Sequence, residues 1–283
     1  MGRFVLLDGK IVRREAARIP VDDLAVIHGW GLFETSRAYR GVTFRLEDHL
    51  RRLQRSMSLL HMKSISLSAR ALHRSIGALL RREKSPDDTA VRLTVTHGPD
   101  WGSPHWFVQT RPIAPPSGSV RLMFAPWPRS TQHPLYGHKT LNYLENALAR
   151  DRARRNKVFE TLFQSTEGHV LECSASNVFL VRGSTLVTPA LGERILPGIT
   201  RMIVLKIAKS LKLPVSEEIV RARDLYSADQ VFITNSLIEL VSVSHLDGRH
   251  VPERRTDIVG ALQARYRSEV IRYTQARLTD RTV

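Results

Sequence analysis

The chain has 283 residues, of which 42% are hydrophobic and 25% charged, ordinary globular usage that excludes wholesale disorder and allows a sizeable core. Its 43 Lys and Arg outnumber 27 Asp and Glu, a formal charge of +16. That excess would suit a nucleic-acid surface. The arginines, however, lie in scattered pairs (Arg13-Arg14, Arg51-Arg52, Arg81-Arg82, Arg154-Arg155, Arg254-Arg255), with no basic stripe interleaved with aromatics. A generally basic surface that attracts an anionic metabolite is the better reading, and nucleic acid is not the expected partner. No apolar run reaches the roughly 18 residues of a membrane span. The opening stretch MGRFVLLDGKIVRRE has too short an apolar segment for a signal peptide and lacks Ser or Thr at position 6 for myristoylation. A lone cysteine, Cys173, excludes an intrachain disulfide. A cytoplasmic protein is the expectation.

In chain order, Phe4–Leu7 and Lys10–Arg13 read as a hairpin around Asp8-Gly9. A strand follows the glycines of His28–Gly31 and turns at Arg40-Gly41. The spacing of Leu46, Leu50, Leu53, Met57 and Leu60 predicts an amphipathic helix. A second helix is expected over Ser68–Arg82, capped by Ser66 or Ser68. Strands are expected at Ala90–Thr96 and His105–Thr110, separated by a long turn over Gly98–Pro104. The Pro- and Ser-rich stretch from Arg111 to Ser119 reads as a linker, which puts a domain boundary at 114–119, between 1–113 and 120–283.

Beyond it, Val120–Ala125 reads as a strand and Pro126–Leu135 as irregular. Tyr136–Arg150 reads as a polar turn entering a helix whose apolar stripe is Leu141, Leu144 and Leu148. Short strands are expected at Phe159–Ser165, Val170–Cys173, Asn177–Val181 and Thr185–Thr188. A helix follows Pro197-Gly198, with Ile203, Ile207 and Leu211 on its apolar side. Then come strands at Val215–Val220, Gln230–Ile233 and Ile238–Val243, and a last helix over about 257–277.

Few residues announce chemistry by themselves. Lys139, placed before a helix, is able to form a Schiff base with a carbonyl cofactor, although in so basic a chain such a lysine is more often a surface charge. Ile199 and Thr200 open a helix, where unpaired amides favour an anion such as phosphate. The polar break Thr234-Asn235-Ser236 offers more donors, and Arg52 a bidentate cation. Glu172 ends a strand and reads equally as an exposed carboxylate. No metal-ligand spacing is present.

The order of six stretches is more specific. His28–Thr35 (HGWGLFET), Phe44–Leu53 (FRLEDHLRRL), His138–Asn146 (HKTLNYLEN), Val170–Phe179 (VLECSASNVF), Ile195–Arg201 (ILPGITR) and Ala228–Ser236 (ADQVFITNS) follow one another. Together they resemble the class IV pyridoxal-phosphate (PLP) enzymes: 4-amino-4-deoxychorismate lyases and the branched-chain and D-amino-acid aminotransferases. The resemblance runs from about residue 3 to about residue 250. It implies an α/β (α+β) fold of type IV, with a small N-terminal α/β domain, a larger C-terminal pseudo-barrel domain, PLP between them, and a homodimer.

The resemblance further implies that Lys139 holds PLP as a Schiff base and moves the substrate proton, while Glu172 pairs with the pyridine nitrogen. Arg52, Ile199, Thr200, Asn235 and Ser236 would surround the phosphate, and Tyr143 would reach the ring oxygen. Phe33, Thr35 and Arg37 would line the substrate side, an ordinary buried strand being the equal alternative for each. His97, His105 and Arg92 are lesser candidates for a substrate carboxylate. Thr234-Asn235-Ser236-Leu237 and Glu172-Cys173-Ser174-Ala175 are similar to the lyase versions of their motifs. Phe33-Glu34-Thr35, shared with many aminotransferases, and Ser242, where a proline is usual, weigh the other way. The expected reaction is aminodeoxychorismate cleavage to 4-aminobenzoate and pyruvate, with transamination of branched-chain L- or D-amino acids as the alternative and a non-catalytic binding protein as a remoter one.

Overall fold

A computed structural model describes residues 2–100, 102–252 and 257–279. Trp101, inside the turn expected over Gly98–Pro104, and the Arg254-Arg255 pair lie outside these residues. By internal contacts the chain forms two units. The first contains residues up to Ala114 together with His138–Asn142 and Glu269 onward; the second contains Pro115–Gly137 and Tyr143–Ser268. One break falls between Ala114 and Pro115, and two later segments, His138–Asn142 and the stretch from Glu269, group with the first unit.

The first unit contains β1 (Phe4–Leu7), β2 (Lys10–Arg13), α1 (Leu24–Ile27), β3 (Gly31–Tyr39), β4 (Val42–Thr43), α2 (Leu46–Leu59), α3 (Ala69–Arg82), β5 (Asp88–Thr96) and β6 (Trp106–Pro112). Its sheet runs β2-β1-β6-β5-β3-β4 with antiparallel neighbours throughout. The β1–β2 turn places Asp8 and Gly9 at φ 44° and 85°, two successive left-handed residues as a two-residue hairpin of this twist demands. Leu46, Leu50, Leu53 and Met57 form the buried stripe of α2, as their spacing predicts. Ser68 caps α3 by accepting the Ala71 N–H, and that helix buries Leu72, Ile76, Leu79 and Leu80. The four-residue helix α1 was not expected; Asp23 creates it by accepting from the Ala25 amide. β3 is buried at Leu32, Phe33 and Glu34 in succession, so both its faces are covered.

The second unit contains β7 (Val120–Phe124), α4 (Leu144–Arg155), β8 (Glu160–Gln164), β9 (His169–Cys173), β10 (Asn177–Arg182), β11 (Thr185–Pro189), α5 (Ile199–Ser210), β12 (Val215–Glu218), β13 (Val220–Arg221), α6 (Ala222–Ser227), β14 (Gln230–Asn235), β15 (Glu239–Leu246) and β16 (Arg249–His250). Its strands hydrogen-bond in the order β12-β11-β10-β14-β15-β7-β8-β9-β13, with β16 on β15. Pairing is mixed: β7 runs parallel to both β15 and β8, whereas β10 is antiparallel to β11 and β14. The core gathers Leu122, Leu162, Val178, Leu180, Val231 and Ile233, all essentially without solvent contact. The last helix, α7 (Ile258–Thr279), begins in the second unit and passes into the first at Glu269. No helix among the described residues is long and apolar enough to cross a membrane.

One expectation about α4 is corrected. The helix starts at Leu144, and Leu144 and Leu148 are exposed at 72% and 54% rather than forming its buried stripe. Ala149 and Ala153 are the residues it buries, and these small side chains let the helix lie close to its sheet. Leu141 is not helical at all.

Candidate active site

In the first unit, the candidate residues are organised by β3. Residues 139–141 lie extended beside the start of that strand. The Phe33 N–H donates to the Lys139 carbonyl at 2.9 Å, the Leu141 N–H donates to the Gly31 carbonyl at 2.9 Å, and Thr140 bridges Leu32. A Cβ on Gly31 would stand 2.8 Å from the Val95 carbonyl and 2.6 Å from a Leu141 methyl, so only glycine admits this approach. His138 Nδ1 lies 2.9 Å from Ser56 Oγ, and the Asn142 amide donates to the Gly29 carbonyl at 3.0 Å. Lys139 is therefore held by strand pairing, not by a helix start as expected. Its half-buried side chain sets Nζ 4.5 Å from the Phe33 ring centroid, and the Arg92 guanidinium lies 3.6 Å from the same ring.

Arg52 meets a partner within its own unit, Glu34. Its Nε and Nη2 donate to the two oxygens of Glu34 at 2.8 and 2.6 Å, and His49 Nδ1 stands 2.7 Å from Glu34 Oε2. The bidentate edge expected to face an anion is thus engaged by a carboxylate within the protein. Burial by itself would raise the Glu34 carboxyl, but the Arg52 charge, its hydrogen bonds and His49 outweigh burial and hold it at about 2. The signal was a Glu on the strand that the helix bearing His49 and Arg52 packs against.

The lesser candidates separate. Thr35 is opposite Arg92 in the β3–β5 register. Arg37 pairs with Asp88 at 2.9 Å and lies 4.6 Å from the Tyr39 ring centroid. His97 is buried, 4.5 Å from the Trp30 ring, with Nδ1 at the Gly98 carbonyl. His105 bonds Asp8 at 2.7 Å, so it serves the β1–β2 turn.

In the second unit, three segments converge on Glu172. Its Oε2 accepts the Leu196 N–H at 3.0 Å and faces Asn177 Nδ2 at 3.4 Å, and Asn177 also donates to the Leu196 carbonyl at 3.0 Å. Gly198 is the N-cap of α5, and no side chain caps that helix. A Cβ on Gly198 would lie 2.0 Å from Asn177 Oδ1, so glycine is required for the approach. Ile199 and Thr200, the first residues of α5, are both buried. Asn235 joins this group: its amide donates to Ser176 Oγ at 2.9 Å, and its oxygen accepts from the Leu237 and Ile238 amides. Ser236 is half-buried beside it. Tyr143 donates its hydroxyl to the Ser174 carbonyl at 2.8 Å.

Two further charged residues shape this unit without having been singled out. Glu160, buried on β8, accepts from Ser174 Oγ at 3.1 Å, from Ser176 Oγ at 2.7 Å and from the Ala175 amide, so one carboxylate shapes the turn after Glu172. Burial pushes its carboxyl up, against the hydrogen bonds that favour the ionised form. Cys173 is buried, and burial, followed by Glu160 and Glu172, raises its thiol well above the ordinary value, so it is an inert packing residue. Arg129 is also buried and approaches Glu172 within 3.7 Å.

A strand-held lysine, a carboxylate at a strand end and an uncapped helix start are groups of the kind a phosphorylated pyridine aldehyde requires. Comparison with known proteins decides the family. The model of the class IV amino-transferases matches residues 31–246. The chain belongs to the class IV aminotransferase family. Among its relatives, a D-alanine aminotransferase of Listeria monocytogenes is 30% identical over 283 residues, covering 94% of this chain and 96% of that protein. The aminodeoxychorismate lyase of Bacillus subtilis is 26% identical over 282 residues, covering 94% of each. The branched-chain aminotransferase of Thermoproteus uzoniensis, solved with norvaline, superposes with a TM-score of 0.84 at 28% identity over 94% of each chain.

As a class IV enzyme the protein works with PLP. The groups present are of the kinds that cofactor takes: an amine on Lys139 in the first unit, and a carboxylate on Glu172 and the amides opening α5 in the second.

Proposed function

We propose that this class IV enzyme is a 4-amino-4-deoxychorismate lyase, releasing 4-aminobenzoate and pyruvate. The observation that carries the reading is the junction of the two lyase-like stretches. Asn235, in Thr234-Asn235-Ser236, is tied to Ser176, in the turn that follows Glu172. The two motifs that separate lyases from aminotransferases are therefore one hydrogen-bonded structure and carry their identity together.

When bound, PLP supplies an aldehyde that captures the substrate amine and a ring that accepts the electrons released from the neighbouring carbon. In this reading Lys139 Nζ would carry the cofactor until the substrate amine displaces it, and the freed amine would take the proton from the carbon bearing the substrate's amino group. Glu172 orients the ring by its nitrogen. The first amides of α5, with Thr200, Asn235 and Ser236, would hold the phosphate, and Arg52, whose Nε and Nη2 are taken by Glu34, would add to them only through Nη1. Tyr143, whose one proton goes to the Ser174 carbonyl, would meet the ring oxygen as an acceptor. Phe33, flanked by Lys139 and Arg92, forms an aromatic wall for an unsaturated ring, and Arg92 supplies a cation for a substrate carboxylate. Thr35, opposite Arg92, and the more remote Arg37 and His97 take secondary places on the substrate side. A homodimer in the cytoplasm belongs to the same reading, and the exposed Leu144 and Leu148 support an apolar contact between copies.

Amino-acid transamination is the second reading, favoured by the 30% identity to a D-alanine aminotransferase. One experiment separates them. The holoenzyme is offered L- and D-amino acids and then aminodeoxychorismate. Release of 4-aminobenzoate and pyruvate, with the cofactor remaining in its aldehyde form, supports the lyase. Stoichiometric conversion of the cofactor to its amine form by an amino acid overturns it in favour of the transaminase.

A further inference from the structure

Behind Glu172 lies a cation that neither reading uses. Arg129 belongs to the irregular stretch between β7 and α4, yet its backbone is fixed on both sides: its N–H donates to the Gln164 carbonyl at 2.8 Å, and its carbonyl accepts from Thr166 at 3.1 Å. The side chain is 4% exposed. Its guanidinium lies 3.3 Å from the Phe163 ring centroid and 4.8 Å from that of Tyr136. Nε donates to Glu145 Oε2 at 2.9 Å, and Nη2 donates to Asn146 Oδ1 at 3.0 Å. Nη1 stands 3.7 Å from Glu172 Oε1. Glu145 is held in turn by the Trp127 indole and the Tyr136 hydroxyl, each at 3.1 Å. The result is a row of charges, carboxylate–guanidinium–carboxylate, with a buried cation between two partly buried carboxylates, that ends on Glu172.

We propose that Arg129 is a positioning residue for Glu172, keeping that carboxylate ionised, aimed, and a weak enough base to leave a proton on the cofactor's ring nitrogen. The inference rests on the assignment of Glu172 to that nitrogen. Its physics is simple. A buried cation beside a carboxylate favours the charged form, and in a low-dielectric setting the effect is large. A proton shared between a carboxylate and a pyridine nitrogen sits on the stronger base. Arg129 weakens the carboxylate, so the proton stays on nitrogen and the ring remains an electron sink. Phe163 and Tyr136 fix the guanidinium plane, and Glu145 and Asn146 anchor it from the far side so that it stays aimed at Glu172. Leu196 and Asn177 hold the opposite oxygen of Glu172, so the carboxylate is gripped from both sides.

The test uses holoenzyme carrying cofactor labelled with nitrogen-15 in its ring, together with cofactor titration of the apo-protein. Arg129→Met should move the ring-nitrogen resonance toward the unprotonated position, lower kcat at least tenfold with KM changed less than about threefold, and weaken cofactor binding. Arg129→Lys, which keeps the charge, should restore most of the resonance and of kcat. Glu145→Gln, which loosens Arg129 from its far side, should move the resonance in the same direction by less. If Arg129→Met does not fold, the Lys and Glu145→Gln variants decide. An unchanged resonance in Glu145→Gln, or a Lys variant no better than one with Arg129 lost, overturns the proposal. Glu172→Gln separates the two levels. If it leaves the ring nitrogen protonated, the assignment of Glu172 itself fails; if it shifts the resonance while the Arg129 variants do not, only the role of Arg129 fails.

Discussion

Arg52 and Arg51 are neighbours in sequence with opposite surroundings, and replacing each with alanine should give very different results. The Arg52 guanidinium grips the buried Glu34, whose carboxyl is held at about 2 against an ordinary 4.5. At about 1.4 kcal/mol per pH unit, that gap ties about 3 kcal/mol of stability at neutral pH to the ionised Glu34. The folded value is the lower one, so this stability is full above 4.5 and is lost as pH falls toward about 2. Arg52→Ala removes the cation and leaves a buried carboxylate supported only by His49, a loss of about 3–5 kcal/mol. Arg51 is 72% exposed and pairs with Asp48, so Arg51→Ala should cost less than about 1 kcal/mol. Urea unfolding of the apo-proteins at pH 7 measures both without any contribution from cofactor. Glu34→Gln combined with Arg52→Ala should be more stable than Arg52→Ala alone, because the orphaned charge is gone. The Arg52→Ala deficit should also shrink below about pH 5 as Glu34 takes up a proton. Equal losses for the two arginines, or a deficit independent of pH, would refute this account of the Glu34 cluster.

Other expectations follow from the same geometry. Glu160→Ala leaves two serine hydroxyls and the Ala175 amide without their acceptor, so the apo-protein should lose about 2–4 kcal/mol in urea unfolding; a loss under about 0.5 kcal/mol would show that the 174–176 turn needs no carboxylate. Leu148→Ala, on the exposed side of α4, should change monomer stability by less than about 0.5 kcal/mol, whereas Ala153→Leu on its buried side should cost about 1–3 kcal/mol. The reverse order would restore the leucine stripe expected from the sequence. Glu47 receives Tyr273 and Arg277 from the end of α7, and although burial raises it, His73 and those partners hold it at about 2. It too contributes above its ordinary value and is lost toward about pH 2, so Glu47→Gln should flatten the acid limb of thermal stability.

Much of the fold was legible because local rules and tertiary structure agree. The Asp8-Gly9 hairpin, the Leu46–Met57 stripe and the Ser68 cap each follow from turn chemistry or a 3.6-residue period. The α4 stripe failed because Leu141 is drawn into strand pairing with Gly31 and because the helix packs through alanines, which carry little periodic signal. The lysine and the strand-end glutamate stood out because family motifs surround them. Glu34, Glu160 and Arg129 did not, since a buried charge declares itself only when its distant partner is in view: Glu34 and Arg52 are 18 residues apart, and Arg129 and Glu172 are further still. Nothing local in the sequence marks residues 138–142 as grouping with the first unit.

The central claim is that Lys139 holds the cofactor. Borohydride reduction of the holoenzyme fixes the cofactor to whichever lysine carries it, and digestion followed by mass spectrometry locates the label. The account predicts the label on Lys139, and no label on the Lys139→Ala protein after identical treatment. A label on any other lysine, or one that persists after Lys139→Ala, would contradict it.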